Sequence, residues 1–265
     1  MTGALALLAF DLVAFSLILS GAWLVQRQTG NSGWVDTIWT YGVGLVGAAV
    51  ALWPLGGEVF ARQVLVAVVI VLWALRLGTH VAIRTAKIDD DPRYHKLKQE
   101  WGEAAQSRMF GFLQLQAAAA FLLTLGPLVA AHSPRPGPDW RDWLGFAIVL
   151  GSIGGEALSD AQLKAFGRDP ANKGKVCDTG LWRYSRHPNY FFETLGWVGY
   201  VVIAADLTGS YPWGWASLIA PAYMYYLLVH VSGVPPLEEH MMRTRPEAFG
   251  AYRARTNMFF PGPVR

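Results

Sequence analysis

The chain has 265 residues, of which 53% are hydrophobic and only 15% charged, with a formal net charge of +3. Its apolar residues come in blocks of about twenty rather than at amphipathic spacing, which excludes a water-soluble domain and points to an all-α integral membrane protein. The single cysteine, Cys177, excludes an intramolecular disulfide, and the six histidines show no zinc-ligand spacing, so neither a metal nor nucleic acid is implied.

In chain order, seven spanning helices are predicted at roughly 4–25, 34–53, 62–83, 109–131, 140–159, 189–206 and 213–234, each near the length that a ~30 Å hydrocarbon core requires. They form one membrane domain over 1–265, with a tail from 235. The first block lacks a preceding basic flank and a following Ala-x-Ala-like site, so it is read as a span and not as a signal peptide. Within the second, Gly42, Gly44 and Gly47 match the Gly-x-Gly-x-x-Gly nucleotide fingerprint literally. That fingerprint needs a strand before it and an exposed turn; inside a spanning helix these glycines, like Gly151 to Gly155, serve close helix packing. The run from Asp89 through Asp91-Pro92 to Tyr94 reads as a helix start rather than a divalent-cation site, leading into an amphipathic piece through Trp101. Ser133 to Pro138 is a linker, and the tail from Glu238 to Pro261 packs as short helices beneath the bundle.

Lys and Arg set the orientation. One side collects Arg27, the 84–108 loop, the 160–186 loop and the tail with Arg243, Arg245, Arg253, Arg255 and Arg265; the other has only Arg62, Arg135 and Arg141. The N-terminus is therefore expected outside and the C-terminus in the cytoplasm, where basic loops also meet anionic lipid headgroups.

Ionisable side chains inside a bilayer face a cavity or a partner by default. Asp36, Arg76, His80, Glu156 and Glu193 are such residues, and several fall in the cytoplasmic half. They imply a pocket open to the cytosol for a charged ligand and to the membrane for an apolar one, although Arg76 is equally read as pairing with Asp36 or Glu193. The most informative stretch runs from Gly180 to Glu193. Arg183, Arg186 and His187 can face an anionic group, Pro188 suits a first helical position, and Asn189 and Glu193 share one helix face.

That stretch, the upstream Ser159-Asp160-Ala161-Gln162-Leu163 and the closing Phe249 to Pro261 segment resemble the C-terminal region of the steroid 5α-reductase family. The Asn31-Ser-Gly-Trp-Val-Asp36 and Trp73 to His80 elements resemble its bacterial branch, for which the location is the inner membrane. The resemblance implies a seven-helix enzyme that uses NADPH to reduce the Δ4 double bond of a 3-ketosteroid. It carries Asp160, Asn189 and Glu193 over as cofactor-binding residues, with Glu239, His240 and Tyr252 on a looser register. Around them Arg84, Lys164, Arg168, Lys175, Arg183, Arg186, His187, Tyr190 and Arg243 are expected at the cofactor, the cations at its phosphates. The family uses a glutamate on the second helix and a tyrosine on the third as donors to the substrate ketone; this chain has Asp36 near the first and no tyrosine in the third span. Asp36 is accordingly expected as the acid and His80 as its co-donor. The apolar substrate, a steroid or another enone lipid, enters from the membrane, and no protein partner is called for.

Membrane methyltransferases of the isoprenylcysteine and phospholipid type also carry an Arg-His-Pro-x-Tyr turn followed by a Glu, and they use S-adenosylmethionine. That reading and a non-enzymatic sterol-binding reading stay open at this point. The cations favour the reductase, because S-adenosylmethionine has no phosphate.

Overall fold

A computed structural model describes residues 2–55 and 60–264; Arg265 of the basic tail lies outside the described residues. All regular structure among them is helical. Six stretches are long and apolar enough to cross a membrane, namely Thr2–Thr29, Gly33–Leu52, Ala61–Thr85, Pro92–Ala131, Trp140–Arg168 and Pro212–Thr244, so the chain is an all-α multi-pass membrane protein. The remaining predicted span, 189–206, corresponds to a helix over Pro188–Ala204, whose 17 residues stand at the short limit for crossing a bilayer.

The chain divides into two compact units, Met1–Phe146 with Tyr200–Ala220, and Ala147–Gly199 with Pro221–Arg265. In the first, α1 (Thr2–Thr29) buries Leu7, Asp11, Phe15, Leu19, Ala22 and Gln26, one residue per turn along a single stripe. Its other faces expose Leu5, Leu12, Val13, Leu17 and Leu24. A helix as apolar outside as inside is one solvated by lipid. Polar groups on and beside the buried stripe are matched by α5 (Ala105–Ala131): Thr124 Oγ1 contacts Asp11 at 2.8 Å, Ser16 donates to Gln114 at 2.8 Å and Gln26 donates to Gln106 at 2.8 Å. Interhelical hydrogen bonds of this kind hold helices together where the hydrophobic effect gives no preference between lipid and protein.

The glycines of α2 (Gly33–Leu52) do what the packing reading asks. A Cβ on Gly47 would sit 3.1 Å from Ile70 and one on Gly42 3.1 Å from Ile18, while one on Gly44 would fall inside the methyl group of Ala74 on α3 (Ala61–Thr85). Gly44→Ala is therefore expected to destabilise the protein by about 1–3 kcal/mol, because the clash partner is a methyl with no rotamer to yield. Thermal unfolding in detergent checks it; an unchanged midpoint would show that α2 and α3 are free to separate there.

At one end of this unit lie the three cations of the sparse side. Arg62 Nε donates to Asp142 Oδ1 at 2.6 Å and Nη2 to Oδ2 at 3.1 Å, while Nη1 donates to the carbonyls of Ser133 and Arg135, both at 2.9 Å. Arg135 and Arg141 each bind Asp139 at 2.6 Å. Asp139 is held well below the usual carboxylate range, first by the Arg141 hydrogen bond and then, against some burial, by Arg135.

The second unit holds the C-terminal part of α6 (Trp140–Arg168), most of α7 (Pro188–Ala204) and the tail. Helices α6 and α7 meet closely at Gly155, where a Cβ would sit 2.5 Å from the Phe192 ring. After α8 (Ile219–Tyr226) comes a wide turn at Leu227–Val231, then the short helices α9 (Val234–Thr244) and α10 (Pro246–Arg255), which are the helical tail the sequence predicts.

Candidate functional site

In the first unit the Asn31 to Asp36 motif starts α2 and is clasped by the segment after α3. Asn31 Oδ1 accepts from Gly33 N at 2.9 Å, and its Nδ2 donates to the carbonyls of Thr85 and Ile88 at 3.0 and 2.7 Å. Asp90 accepts from Ser32 N at 2.8 Å and pairs with Lys98 at 2.6 Å. Asp91 caps α4 (Pro92–Trp101) by accepting from Arg93 N at 3.0 Å, with Pro92 at the first helical position, which is the predicted helix start. Burial raises the Asp91 carboxyl, but hydrogen bonds and charge from Arg93, with the charge of Arg84, outweigh it and hold the group low. Among the described residues no group of three or more His, Cys, Asp or Glu could hold a metal ion.

Asp36 sits on the first turn of α2, half-buried. Tyr94 Oη donates to Asp36 Oδ1 at 2.8 Å, Gln116 Nε2 donates to the same hydroxyl at 3.0 Å, and the Arg93 guanidinium pairs with Asp36 Oδ2. Asp36 accepts from Arg93 and Tyr94, where the sequence reading has it as an acid with His80 as co-donor and as one of two partners for Arg76. The proton-bearing oxygen of the cluster belongs to Tyr94, which is 4% exposed and was not singled out from the sequence. No local signal announces it, since 58 residues separate it from Asp36. His80 lies on the exposed side of α3, and Arg84 is engaged with Asp91 at 3.2 Å.

In the second unit the structure brings Asp160 and Asn189 together: Asn189 Nδ2 donates to Asp160 Oδ1 at 3.4 Å. Glu193, one turn further along α7 and buried, accepts from Trp197 Nε1 at 3.0 Å. Lys164, Arg168, Lys175 and Arg183 are exposed on the end of α6 and the segment that follows it.

Arg186, His187 and Tyr252 have a different occupation from the one expected. Arg186 Nε donates to Glu238 at 2.8 Å and Nη1 to the carbonyl of Thr256 at 2.7 Å; His187 Nε2 lies 3.1 Å from the same Glu238 oxygen and its ring stacks on Tyr190 at 5.3 Å. The Tyr252 hydroxyl donates to the carbonyl of Trp182. Burial pushes this phenol well above its ordinary value, so it stays protonated as a donor. All three groups face inward because the tail folds over the Arg-His-Pro turn: Arg186 N donates to Asn257 O at 2.8 Å and Ser185 Oγ to Phe259 O at 2.8 Å. The carboxylate at the centre is Glu238, while Glu239, His240 and Arg243 are exposed on α9. Val234 and Glu238, four apart, are the buried residues of α9, so helical spacing places Glu238 on the buried face without telling which partner it meets there.

Residues 22–256 match the family described as "Protein of unknown function (DUF1295)", which takes in both units. The chain belongs to that family. No curated protein and no solved structure matches it. The matched residues include the Asp36–Tyr94 cluster, the Asp160–Asn189 pair and the Arg186–Glu238 clasp alike.

Proposed function

We propose that this chain is a membrane-embedded, NADPH-dependent reductase of an enone lipid, with the Δ4 double bond of a 3-ketosteroid as first candidate, on seven spans with the basic loops and C-terminus in the cytoplasm. The observation that carries the reading is the Asp160–Asn189 pair with Glu193 one turn further in, on a helix entered from a segment rich in exposed cations. The pairing of Arg62, Arg135 and Arg141 with Asp142 and Asp139 supports the orientation, because it neutralises the few cations of the outer side.

The donor set fits the cofactor. Lys164, Arg168 and Lys175 would hold phosphates, and Asn189 with Glu193 offers the donor and acceptor that a carboxamide needs. NADPH, when bound, supplies a hydride. The chain's part is to bind it, exclude water and stabilise the charge that develops on the ketone oxygen, which requires a preorganised donor. We assign that task to Tyr94 with Asp36, in place of Asp36 with His80. The Tyr94 hydroxyl receives a hydrogen bond from Gln116 and directs its single proton to Asp36 Oδ1; to serve the ketone oxygen that O–H would turn from Asp36 to the substrate, leaving the Asp36 carboxylate paired with Arg93.

Purified protein given NADPH and a Δ4-3-ketosteroid should form a product two mass units heavier. Glu193→Gln should lose NADPH binding, whereas Tyr94→Phe should keep it and lose turnover. Full turnover by both variants would remove the proposed site. The Arg-His-Pro turn does not decide between reductase and methyltransferase, because its arginine and histidine are engaged inside the protein.

A further inference from the structure

The clasp between tail and loop leaves a cavity of about 360 Å³ within the second unit, with neither Asn189 nor Glu193 in its lining. Its lining includes Asp178, Thr179, Gly180, Arg183, Arg255 and Thr256. Two guanidinium groups face one carboxylate here. Arg255 is ion-paired with Asp178, while Arg183 is exposed and has no ion-pair partner among the described residues. The wall is built and not loose: Gly180 takes a φ of 60°, which L side chains rarely adopt, and a Cβ there would run into Gln162, whose side chain accepts from Leu181 N at 2.9 Å. On the other side, Thr256 N donates to Tyr252 O at 3.0 Å, and Gly262 N donates to Tyr184 O at 3.1 Å, which draws the tail across the loop. The volume lies within the range of small-ligand sites.

We propose that this cavity is a phosphate-ester site, in which Arg183 and Arg255 clamp one phosphate and Asp178 is the internal competitor that holds Arg255 until the ligand arrives. A guanidinium pairs with phosphate oxygens as it does with a carboxylate, so a phosphate can take the place of Asp178 at Arg255. The uncompensated charge of Arg183 supplies the attraction that Asp178 cannot cancel. The proposal goes beyond the reductase reading and does not depend on it. The same chemistry serves a phosphate on a soluble nucleotide or the headgroup of an anionic lipid, since the tail beside the cavity exposes Phe260 and Val264 in a membrane protein.

Full-length protein in a zwitterionic detergent is titrated calorimetrically with adenosine 2′-phosphate, with inorganic phosphate, and with mixed micelles containing phosphatidylglycerol or, as the neutral comparison, phosphatidylcholine. Saturable binding of at least one phosphate-bearing probe is expected, weakened about tenfold by Arg183→Gln and tightened about tenfold by Asp178→Asn, the scale of one hydrogen bond to a charged group. Preference for adenosine 2′-phosphate assigns the site to a soluble ligand; preference for phosphatidylglycerol over phosphatidylcholine, displaced by inorganic phosphate, assigns it to a lipid. Absence of binding by every phosphate probe, or affinities that neither substitution alters, overturns the proposal. The Asp178→Asn arm separates a ligand site from a structural ion pair, which would weaken folding without tightening anything. Glu193→Gln, which tests cofactor binding, leaves this site intact, so the two readings fail separately.

Discussion

Arg62→Ala is expected to destabilise the protein by about 3–5 kcal/mol, because it leaves the Asp142 carboxylate buried with its charge uncompensated. Asp142 is fully buried and takes both guanidinium contacts of Arg62. The same substitution strands the carbonyls of Ser133, Arg135 and Gly137, which Arg62 satisfies. Arg135, at 3.6 Å from Asp142, is too far to take over both oxygens. Replacing the pair together, Arg62→Met with Asp142→Leu, should cost less than either single change, because the desolvation of two charges disappears along with their attraction. Chemical unfolding in detergent micelles reads both; a single variant no worse than the double one would show that the pair is solvated.

Glu238→Leu is expected to cost about 3–5 kcal/mol by the same physics, with a local readout that Arg62 lacks. Glu238 is the shared acceptor of Arg186 and His187, with Arg253 at 3.9 Å, so its loss leaves the buried Arg186 guanidinium without a counter-charge. Arg186 also anchors the carbonyl of Thr256, which places the tail on the Arg-His-Pro turn. The tail from α9 onward should therefore become protease-sensitive while α1 to α5 keep their protection. Glu239→Leu, one residue along and exposed, serves as the control and should leave both stability and proteolysis unchanged. Equal effects of the two changes would contradict the clasp.

What was legible in the sequence was local. Asp91-Pro92 announces the start of α4 because a cap is made within three residues. The glycines of α2 announce close packing because a spanning helix has little other use for them. Partners across the fold were not legible. Tyr94 meets Asp36 from a different helix, and Glu238 meets Arg186 over a separation of 52 residues; no spacing rule encodes either. The resemblance drew attention to the Arg-His-Pro turn as a ligand site, whereas its arginine and histidine hold the tail. A buried cation and a ligand-binding cation look identical in a string of letters, and the difference lies in burial and in partners brought from elsewhere in the fold. Of the seven predicted spans, 189–206 was also the least determined, since its helix is short and carries Glu193.

The most direct test of the NADPH reading is the thermal stability of the detergent-purified protein with NADPH, NADH, S-adenosylmethionine or no ligand. A ligand that binds only the folded state, at about a hundred times its dissociation constant, adds about 2.7 kcal/mol. NADPH is expected to raise the melting temperature, and Glu193→Gln to abolish the rise. Stabilisation by S-adenosylmethionine and not by NADPH would contradict the NADPH reading and make the chain a methyltransferase.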